Sequence, residues 1–202
     1  MKDERLQLLA LPDAELYYAR GFLGTDEAEH FFQALENKVA WRRDEITLFG
    51  RPVAVPRLQA WYGDPGTDYR YSGLDLSPEP WFDELQALRE RVSAACETPF
   101  NSVLINYYRN GSDGVGWHRD NEQSLGPRPV IASLSLGQSR RFSLRHRDLP
   151  EHKLQLELNS GDLLIMAGAT QHHWLHAIPK SRRQLAPRIN LSFRYRIPGP
   201  GG

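Results

Sequence analysis

Apolar residues recur with two different periods in the two halves of the chain. Between Asp26 and Val39, the residues Ala28, Phe31, Phe32, Leu35 and Val39 fall near one helical face, and Thr25 stands where an N-cap is expected. Trp81, Leu85, Leu88 and Val92 repeat at helical spacing between about Pro80 and Ala95, with Pro78 and Pro80 suited to a first turn. The intervening WRRDEITLFGRPVAVPRLQAWYG reads as short strands joined by a turn near Gly50 and Arg51. From Ser102 onward the apolar runs shorten to SVLINYY, PVIASLSL, RRFSLRH, KLQLEL, DLLIMAG and RINLSFRYRI. They are separated by NGSDGVG, LGPRP, RDLPE and NSGD. KLQLEL and RINLSFRYRI alternate with a period of two, so each is expected to have one buried and one wetter face. Helices followed by roughly eight short strands predict a mainly β chain with flanking helices, a jelly-roll sandwich forming one domain over residues 1–202.

Composition narrows the possible functions. A chain of 202 residues buries roughly 70% of its unfolded surface, so neither metal nor disulfide is needed to hold it together. Cys96 is the single cysteine, which excludes intramolecular disulfides and cysteine-rich zinc sites. The first residues, MKDERLQLLALPDAEL, lack a signal-peptide core, and no apolar run approaches a membrane span. A cytoplasmic protein with no membrane partner is therefore expected, and the tail IPGPGG reads as a structureless terminus. Twenty-five basic residues balance 25 acidic ones, which removes bulk attraction to a polyanion. The positive charge is nonetheless local: SRRFSLRHR and KSRRQLAPRINLSFRYR contain ten basic residues and no acid.

The polar residues of the strand-rich half form a chemical pattern. His118 and Asp120 are two apart in WHRD, so an extended backbone points both toward one side. A third ligand must come from elsewhere, and QHHWLHAIP offers His172, His173 and His176. Two histidines and a carboxylate with open positions suit non-haem Fe(II). Arg188, Asn190 and Arg194 share parity in APRINLSFR, as do Asn106 and Tyr108 in LINYY. Guanidinium groups inside a barrel call for a compensating anion, which a dicarboxylate supplies; the competing arrangement buries Ile189, Leu191 and Phe193 and leaves the arginines exposed.

Together NYYRNGSDGVGWHRD, PVIASLSLG, DLLIMAGATQHHWLHAIPK and APRINLSFR resemble the AlkB family of Fe(II)/2-oxoglutarate dioxygenases, in its DNA-demethylating branch, across about Phe49 to Tyr195. The resemblance implies a double-stranded β-helix, with residues 1–100 as helical support and nucleotide-recognition hairpins and 101–197 as the catalytic core. It implies His118, Asp120 and His176 as iron ligands, His176 being chosen by the family's His before a short apolar-Pro stretch, here HAIPK. His173 would then be a supporting or pocket residue and His172 the weakest candidate. Arg188, with Asn106 and Tyr108, would hold 2-oxoglutarate, supported by Asn190, and Arg194 would lie near the carboxylate that joins the metal.

The implied reaction uses Fe(II), 2-oxoglutarate and O2 to remove N-methyl groups from 1-methyladenine and 3-methylcytosine, releasing formaldehyde. A lesion must leave the base stack to reach such a site. Tyr69 and Tyr71 resemble aromatic positions of the base pocket, and Glu122 resembles the acid that contacts the exocyclic amine; Asn121 replaces a second acid found in a relative. Phe49 occupies the position of a hydrophobic finger inserted into the duplex. Arg57 and Gln59 would touch the lesion strand or pocket rim, and Arg182 and Arg183 belong to the loop that grips the opposite strand. Methylated DNA acted on by a monomer is the leading expectation. The alternatives are the same iron chemistry on methylated RNA or a protein side chain, or a non-catalytic nucleic-acid-binding module. Alanine at His118 or Asp120 is expected to abolish oxidation and leave the fold intact.

Overall fold

A computed structural model describes residues 3–48, 51–71 and 74–197, with backbone only for 46–48, 52, 69–71 and 74–76. In chain order the elements are β1 (Gln7–Leu9), β2 (Glu15–Ala19), α1 (Thr25–Lys38), β3 (Glu45–Leu48), β4 (Arg51–Ala54), β5 (Leu58–Gly63), β6 (Tyr69–Tyr71), β7 (Leu74–Leu76) and α2 (Asp83–Cys96). Then follow β8 (Ser102–Tyr108), β9 (Val115–His118), β10 (Ile131–Gly137), β11 (Arg140–His146), β12 (Lys153–Leu158), β13 (Leu163–Ala167), α3 (Thr170–His173), β14 (Trp174–Ile178) and β15 (Arg188–Arg194). A seven-stranded sheet in the order β1-β2-β13-β10-β15-β8-β5 faces a four-stranded sheet in the order β12-β11-β14-β9, and every pairing is antiparallel. This is the jelly-roll sandwich expected from the sequence, with eight strands from Ser102 onward. The sequence reading omitted β1 and β2, which with β5 extend the large sheet from the N-terminal half. No helix among the described residues is long and apolar enough to cross a membrane.

Both helices form, with shifted starts. Gly24, not Thr25, is the N-cap of α1: its backbone is extended and its carbonyl accepts from the Ala28 N–H at 2.8 Å. Asp26 and Glu27 in the first turn and Lys38 in the last complement the helix dipole. α2 begins at Asp83, after both prolines, because Glu79 is held extended against β5, its N–H donating to the Trp61 carbonyl. Pro80 also disfavours helical geometry at Glu79. The hairpin between the helices pairs Leu48 with Arg51, so Arg51 stands in β4 rather than in the turn; Phe49 and Gly50 lie outside the described residues, as does the tail from 198.

The alternation along β15 is present, but the wetter face is not. Ile189, Leu191 and Phe193 are fully buried in a layer with Phe32 and Leu35 of α1 and Leu85, Leu88 and Val92 of α2. The alternate residues, Arg188, Asn190 and Arg194, are buried too, between the two sheets. Two helices cover one side of the large sheet and the smaller sheet covers the other, so neither side of β15 is exposed and only Ser192 is partly accessible. β12 is at the edge of the smaller sheet and keeps the expected alternation, Lys153, Gln155 and Glu157 being exposed. The inter-sheet space is apolar at one end, where Leu16, Ile131, Leu144, Leu164 and Trp174 pack. At the other end it is polar.

Candidate active site

The polar end is a cavity between the sheets, lined among others by Arg57, Asn106, Tyr108, His118, Asp120, Ser133, Phe142, His176, Arg188, Asn190 and Arg194. Neighbouring antiparallel strands position most of it. In the β8–β15 ladder Arg188 lies opposite Tyr108 and Asn190 opposite Asn106, which puts all four side chains on one sheet face. In the β14–β9 ladder His176 lies opposite His118, with ring centroids 4.2 Å apart. Asp120 follows the end of β9, and its backbone N–H donates to Gln171 Oε1 at 2.9 Å. The ligand atoms of His118, Asp120 and His176 all lie within 4.8 Å of one another.

Hydrogen bonds orient these groups for a metal. His118 Nδ1 donates to the Gly116 carbonyl at 2.9 Å, which leaves the Nε2 lone pair for coordination. His176 stacks on Phe142 at 5.4 Å. Arg194 Nη2 donates to Asp120 Oδ2 at 2.9 Å, a buried ion pair. Burial alone would raise the Asp120 carboxyl, but Arg194, with His176 and His118, overrides it and holds the group below the usual carboxylate range. Burial, reinforced by His118 and Arg194, pushes the His176 imidazole down to about 3 against the attraction of Asp120. Both groups are thus in the protonation state that a metal requires at neutral pH.

These shifts have a sign for stability. The folded His176 resists a proton that the unfolded chain takes up near pH 6.5, so its contribution is complete above pH 6.5 and falls away toward pH 3. The lowered Asp120 adds a loss only below its ordinary value of 3.8. The urea midpoint of metal-free protein is therefore expected to drop between pH 7.5 and 5.5, and His176→Asn to flatten that drop. A wild-type midpoint constant across this window would refute the assignment.

A second cluster, Asp13, His146 and His173, also brings three ligand-type groups together. Here His146 Nδ1 accepts the N–H groups of Asp148 and Leu149, at 3.1 and 3.0 Å. Nε2 must then carry the proton, and it faces Asp13 Oδ2 at 3.2 Å. No ring lone pair of His146 remains for a metal. His173 stacks on His146 and not on the site histidines, and His172 Nε2 bonds the Pro127 carbonyl at the surface.

At the other side of the cavity Arg188 is 1% exposed. Its Nη2 donates to Ser135 Oγ at 2.9 Å and its guanidinium lies over the Tyr108 ring at 5.2 Å, while Nε and Nη1 meet no hydrogen-bond partner among the described residues. Burial lowers even this guanidinium to about 10, against the opposing pull of Tyr108. Such a group suits a carboxylate ligand. Asn190 is already engaged, donating to Ser133 Oγ at 2.8 Å and to the Leu134 carbonyl at 3.1 Å, so it ties β15 to β10.

The remaining sequence candidates fall in several places. Arg57 reaches into the cavity and donates to Asn106 Oδ1. Gln59 does not reach it; its amide is buried in a 2.9 Å bond to Asp44, itself bonded by Arg42. Glu122 borders a groove with Asn121, Gln123 and Ile197, and its Oε2 is buried with no partner among the described residues. Arg182 and Arg183 are exposed on the loop between β14 and β15. Tyr69 and Tyr71 stand in β6 with side chains outside the described part, and Phe49 is outside altogether. Sequence reasoning missed Gln171, the Gly116 carbonyl, Ser133, Ser135 and Phe142. Of these only Gln171 left a signal, its place beside the histidines of QHHWLH.

Comparison with known proteins agrees with this geometry. Residues 15–194 match the family model of the 2OG-Fe(II) oxygenase superfamily. The chain is 43% identical over 181 residues to DNA oxidative demethylase ALKBH2 of Homo sapiens, covering 85% of this chain and 69% of that protein. The bovine ALKBH2 match, also at 43%, spans 87% of this chain and 66% of the relative's length. Alpha-ketoglutarate-dependent dioxygenase alkB homolog 3 of Homo sapiens is 40% identical over 196 residues, covering 90% of this chain and 66% of that one. The solved structure of OsALKBH1 superposes with a TM-score of 0.66 at 18% identity, over 94% of this chain and 99% of the other, a likeness of fold.

Proposed function

From the premise that the chain belongs to the 2OG-Fe(II) oxygenase superfamily, and within it to the AlkB family, we propose that it is a DNA alkylation-repair dioxygenase acting as a monomer on N-methylated bases. The observation that carries the reading is one cavity holding both a His118–Asp120–His176 triad and a buried, incompletely bonded Arg188. The triad fits Fe(II) and the guanidinium fits the distal carboxylate of 2-oxoglutarate. When bound, this pair supplies the oxidising chemistry that hydroxylates an N-methyl group with O2, giving succinate, CO2, formaldehyde and the repaired base.

The chain's own residues bind and orient. His118 is held by the Gly116 carbonyl and Asp120 by Gln171 and Arg194, so two ligands are aimed before a metal arrives. Tyr108 faces Arg188 and Asn106 is held by Arg57, which pre-forms the cosubstrate side. The free buried Oε2 of Glu122, two residues beyond Asp120, supports its role as acceptor for the exocyclic amine of adenine or cytosine. A base must leave the stack to reach such a cavity, the task proposed for Phe49 as wedge, with Tyr69 and Tyr71 as pocket walls and Arg182 and Arg183 on the opposite strand.

Formaldehyde release from 1-methyladenine in single-stranded DNA, duplex DNA and RNA, and from a methylated peptide, tests the assignment. Turnover is expected on DNA. The DNA reading fails if RNA or peptide alone is demethylated, and the enzymatic reading fails if the metal-loaded protein turns over none.

A further inference from the structure

We propose that Arg140 is a positioning residue for the dicarboxylate end of the cavity: it braces Tyr108 against Arg188 and adds its charge to the field that a distal carboxylate meets, without touching the ligand. This deepens the reading above and rests on its 2-oxoglutarate site. Arg140 opens β11 and is 3% exposed, behind the cavity lining rather than in it. Its guanidinium carbon lies 5.5 Å from the centre of the Tyr108 ring, and that of Arg188 lies 5.2 Å from the same centre. One buried phenol ring thus meets two buried cations, and of the two only Arg188 lines the cavity.

The hydrogen bonds of Arg140 fix this arrangement. Nη1 donates to the Asn110 carbonyl at 3.2 Å, and Nη2 donates to the carbonyls of Asp113 at 2.8 Å and Pro179 at 3.1 Å. Asn110 and Asp113 belong to the loop that leaves Tyr108 at the end of β8, in the large sheet. Pro179 follows directly on β14, the strand of the smaller sheet that carries His176. One side chain therefore joins the two sheets at the cosubstrate end. The segments it joins are in close contact: the Ser181 N–H donates to the Gly111 carbonyl at 2.7 Å, and a Cβ at Gly111 would stand 2.6 Å from the Arg183 carbonyl oxygen. None of the three bonds reaches a carboxylate, and the Asp113 carboxylate is itself held by Arg109 through two bonds of 2.8 Å. Burial lowers the Arg140 guanidinium, opposed by Tyr108 and Asp113, and the charge of Arg140 adds to the lowering of Arg188. Cations that repel one another are each stabilised by an anion within reach, and a poorly solvated interior extends that reach. A neutral side chain can brace the loops, but only a cation distinguishes a ligand with a distal carboxylate from one without.

Calorimetric titration of the Mn(II)-loaded full chain with 2-oxoglutarate and with 2-oxopentanoate tests the role without requiring turnover, because the second acid has the same carbon chain and lacks the distal carboxylate. Arg140→Gln is expected to reduce the preference for 2-oxoglutarate over 2-oxopentanoate at least about fivefold, and Arg140→Lys to keep it within about twofold of wild type. Both variants should melt at a lower temperature, since neither rebuilds three bonds to carbonyls. A merely structural role weakens the two acids alike, so a wild-type preference in Arg140→Gln overturns the proposal. A loss of about fivefold or more in Arg140→Lys overturns it equally, and that variant decides alone if Arg140→Gln does not fold. These outcomes leave the cosubstrate reading standing. A wild-type protein that binds 2-oxoglutarate no better than 2-oxopentanoate overturns that reading and the role of Arg140 with it.

Discussion

Asp120→Ala is expected to abolish demethylation and, in the same step, to lower the stability of the fold by about 3–5 kcal/mol. The second effect comes from Arg194. That guanidinium is buried and donates to Asp120 Oδ2 at 2.9 Å, so removing the carboxylate takes a bonded counter-charge away from a buried cation. The expectation of an intact fold is kept for His118, whose side chain makes one hydrogen bond among the described residues, to a carbonyl two residues away. Urea unfolding of metal-free Asp120→Ala and wild-type protein measures the difference. A double variant, Asp120→Ala with Arg194→Met, should recover much of the lost stability and none of the activity. Equal midpoints for Asp120→Ala and wild type would show that the ion pair contributes nothing to the fold.

The second large effect is expected at Arg188. Arg188→Met replaces a buried cation by an apolar chain of similar length, and should raise the 2-oxoglutarate requirement at least about 30-fold. It should also make the ligand-free protein no less stable than wild type, because an incompletely bonded buried charge has been removed. The opposite movements of the two readouts separate a binding role from a packing role. Thermal melts with and without 2-oxoglutarate and Mn(II) should show a stabilising shift in wild type that Arg188→Met loses. Retention of the full shift would remove Arg188 from the cosubstrate site. Three guanidinium groups, those of Arg57, Arg188 and Arg194, face one carboxylate in this cavity among its described lining residues. A dianion entering this cavity would meet excess positive charge, so its loss of partner in Arg188→Met would be only partial.

What the sequence made legible follows the range of each interaction. The parity of Arg188, Asn190 and Arg194 is a local property of an extended chain and was readable directly. Which way that face turns was not, because it depends on two helices covering Ile189, Leu191 and Phe193 from the far side. His118 and Asp120 could be paired by spacing, whereas choosing His176 required the family resemblance. In the fold His176 lies opposite His118, on a strand almost sixty residues downstream. Gln59 was expected, with Arg57, at the lesion strand or the pocket rim, but Asp44 on a neighbouring segment holds its amide. The strands β1 and β2 were hidden because they are short and their pairing with β13 is supplied from far along the chain.

The doubly buried β15 has a consequence for how the chain can vary. Along a strand the side-chain period is two, so a slip of one residue exchanges its faces. In β15 such a slip would drive Arg188 and Arg194 beneath the helices and push Ile189 and Phe193 toward His118 and His176. Packing and chemistry thus forbid the same error from opposite sides. An insertion or deletion inside residues 188–194 has no neutral outcome, because either direction of slip disturbs both faces at once.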